Sequence, residues 1–127
     1  IIKSAWLCEC MVGVLIKSDD YVDLYVSASL VASLVLRGDE VHVFITGRAV
    51  NAFIVNRNID SMQELKKRGM DYMNILSNVK ELGKLHIYVC IGMLEALGID
   101  KSALDPIIDG ASTFTDFVMN NEEIIVS

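Results

Sequence analysis

The chain has a single proline, Pro106, and three cysteines, Cys8, Cys10 and Cys90, and its 11 lysines and arginines are outnumbered by 17 aspartates and glutamates. No low-complexity tract, repeat or linker divides it, and 127 residues supply one core rather than two, so a single domain over 1–127 is expected. Three thiols do not make a disulfide scaffold. An odd, small number in an α/β chain points to reduced cysteines in the cytoplasm. The net charge of −6 repels a phosphate backbone and excludes a nucleic-acid partner. The one basic cluster, Lys66-Lys67-Arg68, reads as a solvated helix end. No apolar run is suited to crossing a bilayer: 1–16 is broken by Lys3 and Glu9, and 24–36 is too short. Neither G-x-G-x-x-G, G-x-x-x-x-G-K-[ST] nor G-x-S-x-G occurs, which removes the usual dinucleotide, P-loop and serine-hydrolase signatures.

Apolar residues are abundant, at 53% against 22% charged, so a generous buried surface is expected, subunit contacts included. Met11–Ile16 is a continuous apolar run of strand length, and Lys17-Ser18-Asp19-Asp20 follows as a polar turn able to cap a helix. Tyr21–Arg37 reads as that helix, ended by Gly38. Its apolar residues run nearly all round, which predicts a helix sandwiched inside the domain or covered by another subunit. Val41–Thr46 is a second strand, Ala49–Val55 a short helical piece and Asn56–Asp60 a loop. Ser61 and Glu64 form a capping-box pattern for a helix through Arg68. Asp71–Leu82 is amphipathic, Leu85–Val89 is a buried strand, and Met93–Leu97 is a helix closed by Gly98. An extended step at Ile107-Ile108, a helix over Thr113–Met119 and a last strand at Glu123–Val126 complete the chain. The alternation predicts an α/β fold, a three-layer α/β/α sandwich around a mainly parallel sheet of about five strands.

A parallel sheet brings three strand ends to one edge: Ser18-Asp19-Asp20, Thr46-Gly47-Arg48 and Cys90-Ile91-Gly92. Ligands bind beyond the carboxyl ends of strands in open α/β sheets. Cys90 falls where a strand gives way to a helix, where unpaired N–H groups favour the thiolate. The other reading of a thiol in so apolar a segment is a buried structural cysteine. Arg48 is the nearest cation the topology offers to Cys90, and Gly92 leaves the thiol open to approach. Cys8 and Cys10 point the same way on an extended chain and serve either as a resolving pair or as buried thiols leading into the first strand. His42 and His86 lie inside strands without paired ligand spacing and read as sheet residues with hydrogen-bond partners, so no metal site is expected. Asp19-Asp20 suggests a phosphoacceptor receiver, but the third strand ends in Cys90 where such domains carry an aspartate.

The run Tyr88–Phe117 contains Cys90, Met93, Leu97-Gly98-Ile99 and Ile108-Asp109-Gly110, and in these residues the chain resembles the DsrE/DsrF-like family of sulfur-relay proteins. The resemblance implies a three-layer fold assembled into trimers or hexamers, with Cys90 accepting sulfane sulfur as a persulfide or related adduct and passing it on. Arg48 and Gly92 are then substrate-binding, Cys8 and Cys10 are secondary thiols, and no metal or organic cofactor is implied. Partners would be sulfur-donor and sulfur-acceptor carrier proteins, with no nucleic acid or membrane involved. The alternative is a non-catalytic oligomeric subunit of the same fold with a structural cysteine.

Overall fold

The computed structural model describes residues 11–127, so Cys8 and Cys10 lie outside the described residues. Strands β1 (Met11–Ile16), β2 (Glu40–Ile45), β3 (Leu85–Cys90), β4 (Gly110–Ser112) and β5 (Glu123–Val126) form one sheet in the order β4-β3-β2-β1-β5. All four pairings are parallel, which fixes every carboxyl end on one edge. Helices α1 (Tyr21–Arg37), α2 (Met62–Lys67), α3 (Tyr72–Lys80), α4 (Ile91–Leu97) and α5 (Phe114–Met119) and two 3-10 turns, 47–52 and 101–103, make the connections. No helix among the described residues is long and apolar enough to cross a membrane.

Alternation along the strands sends Val12, Val14, Ile16, Val41, Val43, Ile45, Leu85, Ile87 and Val89 to one face, where all are buried with α1 and α3 in the main core. Asp20 begins α1 by accepting the Asp23 N–H, and Gly38 ends it at φ 107°, a left-handed geometry with little cost only for glycine. The buried stripe of α1 is Tyr21, Leu24, Ser27, Ala28, Val31, Leu34 and Val35. Val22, Val26 and Leu36 stand exposed, so the expected sandwiching of α1 inside the domain does not occur. Its burial follows a one-sided helical period despite the apolar composition.

The opposite face is covered more thinly. A second cluster joins Phe44, Cys90 and Phe117, with Leu15 and Met93 against it, so the short α5 roofs the centre of the sheet. Gly13 allows this roof to close, because a Cβ there would meet the Phe117 ring at 2.8 Å and Asn121 Cγ at 3.0 Å.

Two local expectations are corrected. Ser61 adopts a left-handed φ of 66° with no side-chain cap, so the capping-box pattern is not used. The fourth strand is Gly110–Ser112 rather than Ile107-Ile108. Ile107 is instead a buried apolar plug.

Candidate functional site

Cys90 is the last residue of β3 and the residue from which α4 starts, with extended backbone angles of −65° and 120°. Its side chain caps no N–H and lies in contact with the Phe44 and Phe117 cluster, leaving the residue 7% exposed. Ser112 of β4 stands opposite it in register. The register Ile16↔Ile45 and Ile45↔Val89 brings the ends of β1, β2 and β3 side by side, so Asp19-Asp20, Arg48 and Cys90 share the carboxyl edge as the alternation predicts.

The sequence candidates on this edge differ in what they do. Gly92 is exposed, and a Cβ added to it would have Cys90 Sγ at 3.9 Å as its neighbour. The sulfur therefore neighbours the open side of this glycine. Arg48 is exposed in the 47–52 turn that follows β2. Asp20 is occupied as the α1 cap, a structural role that needs no receiver chemistry. Glu95 is exposed on α4. Gly92→Ala is expected to leave the fold intact, gaining up to about 1 kcal/mol of helix propensity while placing a methyl in van der Waals contact with Sγ. The check is the alkylation rate of Cys90 in the folded protein, which should fall while the unfolding midpoint holds or rises.

The Ile108-Asp109-Gly110 step acquires a structural cause. Asp109 donates its N–H to the Ile87 carbonyl at 2.8 Å and accepts the Ile87 N–H on its carboxylate at 2.7 Å. Lys80 Nζ reaches the same carboxylate oxygen at 2.6 Å. This clamp ties the chain entering β4 to β3 and so brings Ser112 beside Cys90.

A second group of polar side chains occupies the thinly covered face, nearer the amino ends of the strands. His42 and His86 are register partners on β2 and β3, with ring centroids 5.2 Å apart. Glu40 Oε2 lies 2.7 Å from His86 Nε2, and His42 Nδ1 lies 3.1 Å from Asn121 Oδ1. Burial and the neighbouring His86 hold the His42 pKa below the usual histidine value, against the opposing hydrogen bond of Asn121. A cavity of about 120 Å³ lies on this face, lined in part by His42, Phe44, Tyr88, Ser112 and Phe117. Spacing along the chain does not reveal the histidine pair. The signal is two-dimensional: Val41-His42-Val43-Phe44 and Leu85-His86-Ile87-Tyr88 carry histidine at the same place in adjacent strands.

The five-stranded, all-parallel sheet is that of a DsrE/DsrF-like α/β fold. The structure is similar to the protein of unknown function MTH1491 from Methanobacterium thermoautotrophicum, with a TM-score of 0.71 and 17% identity over 93% of this chain and 99% of that one. It is also similar to the ychN protein of E. coli, with a TM-score of 0.67 and 13% identity over 94% of this chain and all of that one. No protein-family model and no curated protein matches the sequence.

Proposed function

We propose that the protein is a sulfur-relay carrier in which Cys90 holds sulfane sulfur in transit. The observation that carries this reading is the place of Cys90 in the fold: the final residue of β3, at the carboxyl edge, with its sulfur beside the exposed backbone of Gly92. In the transfer, the Cys90 thiolate attacks the outer sulfur of a donor persulfide. The new S–S bond forms as the donor's own S–S bond breaks, and the donor departs as a thiolate. An acceptor thiolate then attacks the outer sulfur held on Cys90, which returns to thiolate. The exchange is redox-neutral, so the chemistry needs neither metal nor organic cofactor. Arg48 would hold an anionic donor such as thiosulfate by paired N–H bonds. Donor and acceptor proteins would dock at the carboxyl edge in the cytoplasm. Exposed Val22, Val26 and Leu36 on α1 support assembly into a homo-oligomer, for which the family resemblance implies a trimer or hexamer.

A second reading has its own observation. Cys90 is only 7% exposed and packs with two phenylalanines, as a structural cysteine would. Intact-protein mass spectrometry after incubation with polysulfide, thiosulfate or tetrathionate separates the two. The relay predicts a reductant-sensitive mass gain that maps to Cys90, disappears in Cys90→Ser, and survives for the most part in Cys8→Ser and Cys10→Ser. Loading retained in Cys90→Ser would sink the relay, and a Cys90 that takes neither sulfur nor an alkylator in the folded protein is a core residue.

A further inference from the structure

We propose that Glu40, His42 and His86 form a binding site for a divalent transition ion of the zinc class, separate from Cys90 and independent of the sulfur relay. The parallel register sets the two imidazoles side by side on one face of the sheet. Glu40 stands two residues before His42 on the same strand and therefore on the same face. One donor atom from each residue lies within 4.8 Å of the others. Tetrahedral ligation at 2.0–2.2 Å asks for donors roughly 3.3 Å apart, a closure within reach of side-chain rotation. Glu40 and His86 are free to make it, being 24% and 33% exposed at the side chain.

The surroundings of His42 are those of an oriented ligand. Asn121 donates its amide to the Phe117 carbonyl at 2.7 Å, so its Oδ1 is the atom turned toward His42 Nδ1. Nδ1 then carries the proton and Nε2 keeps the lone pair, the arrangement in which an outer partner fixes a metal-binding tautomer. Asn121 reaches this position only because Gly13 has no side chain. At His86 the bond to Glu40 shows where an ion would enter: it takes the place of the proton shared between Nε2 and the carboxylate, and that proton moves to Nδ1 or to solvent. Two imidazoles and one carboxylate favour zinc and its first-row neighbours over magnesium or calcium, and partial exposure leaves a fourth position to water. Cys90 lies four residues beyond His86, roughly 13 Å along the strand, too far to ligate the same ion.

The test is titration of the chelator-treated full chain with Zn(II) and, separately, Co(II), followed by calorimetry, visible absorption and imidazole NMR. The expected result is one equivalent bound with the spectrum of a nitrogen and oxygen site, without thiolate-to-cobalt charge transfer, and unchanged in Cys90→Ser. Binding should be lost in His86→Ala and His42→Ala and weakened about 10-fold in Asn121→Ala, where only the orienting partner is removed. The chain has two histidines, so perturbed imidazole signals in the unmodified protein identify the ligands even if a variant does not fold. No saturable binding, binding with both imidazole signals unmoved, or a spectrum dominated by thiolate ligation overturns the site.

Discussion

Phe44→Ala is expected to destabilise the protein by about 3–5 kcal/mol and to accelerate alkylation of Cys90, the two effects arising from one ring. Phe44 is fully buried at the centre of the thinly covered face. It stacks on Phe117 at 4.9 Å and 17° and meets Phe114 edge-on at 4.9 Å and 66°. Removing it deletes the transfer energy of a buried aromatic, both ring contacts and the support under α5, which is too short to hold its place by helix propensity. The cavity left behind would join the 120 Å³ pocket that Phe44 already lines and open it to the Cys90 sulfur. Domains of this size hold about 5–15 kcal/mol, so the variant should stay folded in water with a much lower urea midpoint. The rate comparison is made in a Cys8→Ser, Cys10→Ser background so that only Cys90 reports. Phe44→Leu, which keeps most of the volume, should recover much of the stability and slow alkylation again. Lost stability with an unchanged thiol rate would mean that the ring does not shield Cys90, and access would then be controlled at Gly92 alone.

The legibility of this chain follows from which features are local. β1, β2, β3 and β5 could be read because each is a short, mainly apolar run, and α1 because Asp20 and Gly38 mark its ends with side-chain and backbone chemistry that acts within four residues. The strand-end place of Cys90 followed from the same boundaries. β4 could not be read, since Gly110-Ala111-Ser112 has no strand propensity and exists only through its register with Tyr88–Cys90. Apolar Ile107 and Ile108 drew the prediction to the wrong segment because a buried plug and a buried strand look alike over two residues. Ser61 failed as a cap for a related reason: the pattern with Glu64 is present, but the loop delivers Ser61 in a left-handed turn. The histidine pair depended on register between β2 and β3, and Asn121 on the close approach of α5 over Gly13. Neither is encoded by spacing within one segment.

Asp109→Ala is expected to cost about 2 kcal/mol and to loosen β4 from the sheet, because the buried Ile87 N–H would lose its acceptor. Ile87 is fully buried, and β4 begins only at Gly110, opposite Tyr88. At Ile87 the sheet has no further strand residue to accept that N–H, and the Asp109 carboxylate serves in its place. The Lys80 ion pair contributes less, since its side chains are 24% and 34% exposed and solvent screens them. Asp109→Asn separates the contributions: an amide oxygen can still accept from Ile87 while the charge is gone, and the loss should be no more than about 1 kcal/mol. Hydrogen exchange supplies the local check, with the Ile87 amide faster by about 30-fold in Asp109→Ala and by no more than about 5-fold in Asp109→Asn, at tenfold per 1.4 kcal/mol. Equal losses in both variants would put the clamp's strength in the ion pair rather than in the backbone bond. The functional consequence is positional. Ser112 stands beside Cys90 only while β4 is held, so under the relay reading Asp109→Ala should lower the rate of sulfur loading without removing the thiol, and Asp109→Asn should restore most of it.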